Sequence, residues 1–158
     1  MQFEKSMLEN IIYRLKKQEI KVYSSGPNSA ERIDNASKIL EIQLPESFKN
    51  YLLIYGSLSV KSFELNGLIN VSNDSEPVHA NFVGLTKESQ DKYGLIKTYI
   101  QLGDAGLGDQ WVLCCNSKSK NYGKVFYWNP GISGENDMEK CADSFEEFIE
   151  KKLLKLIE

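Results

Sequence analysis

The chain has 158 residues, of which 41% are hydrophobic and 26% are charged, and its formal net charge is −3. This length and composition are typical of one folded domain with its own core and exclude a disordered polymer. A nearly neutral chain lacks the strong basic field that drives nucleic-acid binding, so direct binding of nucleic acid is disfavoured.

The N-terminal segment predicts a helix and not an export signal. Charged residues interrupt residues 1–10, which therefore lack the continuous apolar stretch of a secretory signal. The longest apolar run, residues 51–55, is far shorter than the roughly 20 residues that span a bilayer. We expect a soluble, cytoplasmic protein with no membrane partner. The apolar residues that recur at helical spacing in the first helix are Phe3, Met7, Leu8, Ile11, Ile12 and Leu15.

Two more helices are predicted before residue 56. Asn28 and Glu31 form a capping box that begins the first of them. Pro45 begins the second, because proline suits the first turn of a helix. Gly56 ends it, since glycine accepts the left-handed conformation of a helix terminator. The buried stripe expected for the first of the two helices consists of Ile33, Ala36, Ile39 and Leu40.

The middle of the chain predicts a small hairpin followed by a helix. Asn66-Gly67 is a strong signal for a hairpin turn between two strands. A polar, loop-like segment follows, and residues 82–93 then predict a short helix. The β-prone segments before it are residues 58–60, 63–65 and 68–71.

The second half predicts a sheet and a last helix. Ser144 and Glu147 form a capping box at the start of that helix. The three core strands, expected to be consecutive antiparallel neighbours, are residues 95–102, 110–115 and 124–128. The element order therefore indicates an α+β fold, with a mainly antiparallel sheet and with N-terminal helices and a C-terminal helix packed around it. We expect residues 1–158 to form one domain.

Aromatic residues concentrate in the predicted strands. Side chains alternate between the two faces of a sheet, so only half of such a set can form an exposed binding platform, and the core is the better expectation for each one. We therefore predict that Trp111 or Trp128 is substantially buried.

The chain offers little material for catalysis or metal binding. His79 is the only histidine, so a hydrolase triad and a multi-histidine metal site lack their side chains. Cys114, Cys115 and Cys141 lack the paired spacing of zinc ligands, and the adjacent pair is expected to point to opposite sheet faces. We expect reduced thiols in a reducing compartment. We predict no catalytic residue, no metal and no cofactor.

The segment of residues 103–109 is rich in glycine, yet it matches neither the G-x-G-x-x-G order nor the P-loop pattern of phosphate-binding loops. A tight connection between two strands, in which glycine supplies positive φ angles, is the favoured interpretation. Asp104 and Asp109 in this segment are nevertheless available to face a partner.

Acidic residues concentrate near the C-terminus. Seven of them stand against one lysine in residues 131–150, a net charge of −6 that leaves +3 for the remainder. The last helix accounts for three of the seven, because its N-terminal half favours negative charge. Glu135, Asp137 and Glu139 have no such local reason. Two interpretations stay open: an ordinary solvated surface, or a site that recognises a basic partner through these three residues, possibly together with Asp104 and Asp109.

Three segments resemble the SUKH superfamily, which is named for fungal cell-wall-synthesis regulators and is widespread as bacterial immunity proteins. Residues 33–52 are similar to its pattern of a helix, Leu-Pro and an aromatic-containing helix. Ser37 and Glu41 depart from that pattern, which often has glutamate and glycine there. The second segment, residues 100–111 together with 123–128, resembles its strands and the Gly-Asp loop between them. The third, residues 142–149, resembles its closing Ser-Phe-x-x-Phe helix.

This resemblance implies an α+β fold without catalytic residues. Bacterial members are commonly inferred to bind and neutralise a cognate toxin, frequently a nuclease, that is encoded beside them. The leading expectation is therefore an immunity protein whose partner is a toxin domain. The alternative is a regulatory or scaffold domain that binds a cellular protein, as the fungal relatives suggest. An enzyme is the weakest hypothesis, because no acid, base and nucleophile stand out together.

Overall fold

The chain has an α+β fold with two antiparallel sheets, as a computed structural model that describes residues 5–131 and 134–157 shows. Within those residues the helices are α1 (Lys5–Lys17), α2 (Ala30–Leu40), α3 (Glu46–Ile54), α4 (Phe82–Tyr93) and α5 (Phe145–Leu154). The strands are β1 (Val22–Tyr23), β2 (Leu58–Val60), β3 (Phe63–Leu65), β4 (Tyr99–Gly106), β5 (Asp109–Cys114), β6 (Val125–Trp128) and β7 (Glu139–Ala142). A short 3-10 turn, Glu135–Asp137, precedes β7.

The two sheets lie next to each other. Strands β1, β2 and β3 form the smaller sheet, and β4, β5, β6 and β7 form the larger one in that order. Every paired strand runs antiparallel to its neighbour. The backbone N–H of Asn66, just after β3, donates to the carbonyl of Leu102 in β4 at 2.7 Å. This bond connects the two sheets.

Apolar side chains cover both faces of the larger sheet. On one face, aromatic rings of α3 and α5 meet in the main core, with the ring centroids of Phe48 and Phe145 5.2 Å apart. The hydroxyl of Tyr51 donates to the carbonyl of Leu65, so the polar tip of this buried ring is satisfied. The smaller cluster on the opposite face consists of Leu95, Tyr99, Val112, Cys114, Phe126, Trp128 and Met138.

The helices predicted from the sequence are confirmed, with two corrections in α2. Ser29, and not Asn28, is the N-cap, because its hydroxyl accepts from the backbone N–H of Arg32. Asn28 instead donates its side-chain amide to the carbonyl of Leu52 in α3. Ile39 was expected in the buried stripe but is 38% exposed. Phe3, assigned to the first helix, lies outside the described residues.

The predicted hairpin turn at Asn66-Gly67 is wrong. The chain reverses between β2 and β3 at Lys61, whose φ is +54°, and residues 68–71 form no strand. Gly67 serves close packing, because a Cβ atom there would lie 1.5 Å from the carbonyl oxygen of Gly56. Asn-Gly therefore marks a point of close backbone approach in this chain.

The larger sheet extends beyond the three predicted strands. Strand β4 continues through most of the expected glycine-rich loop, so that only Leu107 and Gly108 remain as the turn to β5. Strand β7 was not predicted. Cys114 and Cys115 lie in the cores on opposite faces, as expected for adjacent strand residues. Each helix of the described residues is too short or too polar to span a bilayer.

Candidate protein-binding surface

Three of the five candidate carboxylates lie at one end of the larger sheet, which we call the hairpin end because β4 and β5 join there. Glu139 of β7 pairs with Tyr127 of β6, which pairs with Trp111 of β5. Asp109 lies two residues from Trp111 toward the turn, and Asp104 pairs with the residue after Asp109. Since neighbouring strands lie about 4.8 Å apart, Glu139 lies roughly 10 Å across the sheet from the strand of Asp109.

Asp104 and Asp109 are held in place by hydrogen bonds within their own surroundings. One carboxylate oxygen of Asp104 accepts from the backbone N–H of Gly106 at 2.8 Å. One oxygen of Asp109 accepts from the side-chain amide of Asn129 at 2.9 Å. Neither carboxylate forms an ion pair with another described residue, so both negative charges are available to a partner.

Asp137, in the 3-10 turn, and Glu139, at the hairpin end, are exposed carboxylates of the acidic segment. Neither forms an ion pair within the described part of the chain. By contrast, Asp143 pairs with Lys140 at 2.6 Å, and Glu147 pairs with Lys151 at 2.6 Å. Lys140 is already included in the net charge of −6, so Lys151 is the cation that these two pairs add from outside the segment. The carboxylates that stay without an ion pair among the described residues include Asp137 and Glu139.

Glu135 differs from the other candidates because its carboxylate is engaged within the fold. One oxygen accepts from the Asn121 side-chain amide at 2.9 Å and from the Tyr99 hydroxyl at 2.8 Å. These bonds, from Asn121 first and Tyr99 second, hold the pKa of Glu135 below its usual value. Tyr99 pairs with Cys114 at the end of the sheet away from the hairpin. Glu135 thus connects the 3-10 turn to that opposite end.

A groove of about 780 Å³ adjoins the hairpin end between β3, β4 and α5. The ammonium group of Lys152 lies 5.0 Å from the centroid of the Trp111 ring, a cation–π distance, and covers that ring at the groove wall. His79 lines the groove and its Nε2 lies 2.7 Å from a carboxylate oxygen of Glu64. Both side chains of this pair are exposed to solvent.

The aromatic side chains of the larger sheet do not form an exposed platform on the described surface. Trp111 is 7% exposed and Trp128 is 1% exposed, which confirms the prediction of buried tryptophan. Tyr127 is half-buried, and a hydrogen bond with Cys141 together with burial raises the pKa of its hydroxyl to about 12. A tyrosine hydroxyl is neutral at neutral pH even at its ordinary pKa, so this side chain adds no charge to the surface.

Sequence reasoning missed one feature of the hairpin end, namely Leu107 at its tip. A glycine-rich connection between strands assigns no role to its single large apolar residue. In the structure this leucine is 104% exposed. The sequence does contain a signal, namely a leucine between two glycines. Such a residue is expected at a turn, where few neighbouring side chains can pack against it.

Comparison with known protein families gives a match over most of the chain. A family model described as SUKH_5, SMI1-KNR4 cell-wall, matches residues 8–154. This range includes the hairpin end, the 3-10 turn and nearly all of the described helices. A search of curated proteins finds no match.

Proposed function

The chain belongs to the SMI1-KNR4 cell-wall family of the SUKH superfamily, and from this membership we propose that it is a non-catalytic, protein-binding immunity protein. It binds and neutralises a cognate bacterial toxin domain, of the nuclease kind that bacterial members are commonly inferred to oppose. It acts in the reducing cytoplasm, in keeping with its three free thiols. The family match over residues 8–154 carries this proposal.

The exposed carboxylates at the hairpin end and in the 3-10 turn, which together we call the acidic surface, support the proposal of a basic partner. A nuclease must approach a polyanion, so its active surface is positive, and an inhibitor that covers this surface gains from concentrated negative charge. Asp104, Asp109 and Glu139 supply such charge at the hairpin end, and Asp137 adds to it from the 3-10 turn. Glu135 is a more distant source of negative charge for the partner, because two internal hydrogen bonds hold one of its oxygens toward the opposite end of the sheet.

A second candidate is a regulatory or scaffold domain that binds a cellular protein. The matching family takes its name from cell-wall proteins, which favours this alternative. The two candidates differ in gene neighbourhood. An adjacent gene for a secreted protein with a variable C-terminal domain favours immunity, and an isolated gene favours the scaffold.

Association kinetics test the acidic surface. We expect the double variant Asp137→Lys and Glu139→Lys to associate more slowly with the C-terminal domain encoded by the neighbouring gene, because charge steers encounter. Its association rate also varies less with ionic strength, since fewer opposite charges remain to be screened. Stopped-flow measurements between low salt and about 0.5 M salt give both quantities.

The matched control is the double variant Glu19→Lys and Asp34→Lys, which makes the same charge change on exposed positions of the helical side. It keeps the parent's steep salt dependence more closely than the test variant does. Equal rates and equal salt slopes for the two double variants would remove the site assignment. No binding by the parent chain would instead contradict the proposed function.

A further inference from the structure

The tip of the β4–β5 hairpin presents a leucine that touches no core. Leu107 is 104% exposed, whereas Leu53 on α3 is 36% exposed and Leu154 at the end of α5 is 38% exposed. The rest of the fold therefore covers more than half of each of those two side chains. Leu107 projects from a two-residue turn with its whole apolar surface in water.

The backbone at this tip is also unfavourable for leucine. Leu107 has φ +54° and Gly108 has φ +89°, so both central residues of the turn lie in the left-handed region. Asparagine and glycine are preferred in such turns, because a bulky side chain there brings Cβ close to the following carbonyl oxygen. A leucine at this position therefore costs stability and recovers none through packing. Local violations of this kind concentrate at functional sites.

The surroundings of Leu107 define the chemistry of what can cover it. Asp104 lies before the tip and Asp109 lies after it. Each carboxylate is fixed by a hydrogen bond, from the Gly106 N–H and the Asn129 amide respectively. The tip is thus an apolar side chain between two oriented negative charges. These charges repel the anionic surface of a membrane, so a protein with basic groups is the complementary partner.

We propose that Leu107 is an anchor residue that inserts into an apolar pocket on the partner, with basic groups at the rim of that pocket paired to Asp104 and Asp109. The inference rests on the proposed function and identifies where the toxin domain is engaged. An apolar anchor at the centre of an interface excludes water and governs dissociation, while the charges around it govern encounter. The hairpin is suited to this role because β4 and β5 hold it as part of the larger sheet.

Replacement of the anchor gives the direct test. The variant Leu107→Asn removes the apolar side chain and introduces a residue that tolerates positive φ. We expect at least a tenfold loss of affinity for the C-terminal domain encoded by the neighbouring gene, mainly through faster dissociation, measured by biolayer interferometry. The melting temperature of the variant is equal to or higher than that of the parent. Leu53→Gln, on α3, is the matched control and keeps the parent affinity.

The companion variant Asp104→Asn with Asp109→Asn retains hydrogen-bond acceptors and removes both charges. It slows association and leaves dissociation closer to that of the parent. An unchanged affinity of Leu107→Asn for a domain that the parent binds would overturn the anchor and leave the proposed function intact. A parent chain that binds no such domain would reject the proposed function itself, and the anchor with it.

Two further outcomes also decide against the anchor. A lower melting temperature of Leu107→Asn would show that the leucine packs within the fold. A parent dimer that this variant converts to a monomer in analytical ultracentrifugation, with the affinity for the toxin domain unchanged, would assign the tip to contact between two copies of the chain.

Discussion

At the scale of single residues, similar side chains have different roles according to what surrounds them. Glu135 accepts two hydrogen bonds that hold a turn in place, whereas Glu139, four residues later, is exposed on an edge strand without an ion pair among the described residues. Both are acidic residues of one short segment, and only the fold separates their roles. The charge that matters for a partner is the part that internal contacts leave uncompensated.

Glu41 allows a direct test of backbone strain at a helix end. It ends α2 with φ +56° and ψ +47°, and its N–H donates to carbonyl groups of the last turn. Because glycine carries no Cβ penalty in this conformation, we expect Glu41→Gly to raise the free energy of unfolding by about 1 kcal/mol. Chemical denaturation measures the change.

The control for Glu41 is Lys38→Gly, three residues earlier inside α2. There the same introduction of glycine lowers the free energy of unfolding by roughly 1 kcal/mol, because lysine is the better helix former. If both variants lowered stability by similar amounts, the left-handed conformation of residue 41 would be contradicted.

At the scale of elements, the sequence predicts helices well because they carry their own signals. Ser144 is the N-cap of α5, where its hydroxyl accepts from the backbone N–H of Glu147, and Pro45 with Gly56 brackets α3. Strand β7 lacked a signal, since its residues Glu-Lys-Cys-Ala show no apolar alternation and depend on pairing with β6. The cap at Ser29 was misassigned by one residue because Asn28 has equally suitable chemistry.

The candidate site was only partly predictable for the same reason. Its residue types could be chosen from the local excess of acid, but their grouping depends on strand register across β4, β5, β6 and β7. No pattern within the acidic segment distinguishes Glu135, which faces Asn121 and Tyr99, from Glu139 at the hairpin end. Leu107 was passed over because a turn residue carries no periodicity.

The attachment of the 3-10 turn to the sheet predicts a pH dependence of stability. The folded pKa of Glu135 is depressed, so its carboxylate stabilises the fold above its unfolded pKa of about 4.3. That contribution is lost as the pH falls through the lower folded pKa. We expect Glu135→Gln, which keeps an acceptor oxygen, to be less stable than the parent at pH 6. The difference in unfolding free energy between the two shrinks toward pH 3.

Urea denaturation of the parent and of Glu135→Gln from pH 6 to pH 3 measures this difference. The control is Asp137→Asn, which removes an exposed carboxylate of the same turn. A stability difference between the parent and Glu135→Gln that stays constant over this pH range would contradict the role of the ionised carboxylate.

At the scale of the whole molecule, the larger sheet is the central support of the fold. Both faces of the larger sheet are buried, by α3 and α5 on one side and by the 3-10 turn region with residues 95–96 on the other. The proposed recognition site therefore lies at the end of the sheet and not on its faces. The hairpin end combines uncompensated carboxylates with an apolar tip, a combination that suits a basic protein surface with a pocket.

The most direct test of an immunity function is the activity of the partner in the presence of this chain. The purified chain is titrated into the C-terminal domain encoded by the neighbouring gene while cleavage of nucleic acid is followed. We predict that cleavage falls to background once the chain is present in stoichiometric amount, and that Leu107→Asn requires a clear excess for the same effect. Full cleavage activity in the presence of excess parent chain would contradict neutralisation of a nuclease toxin.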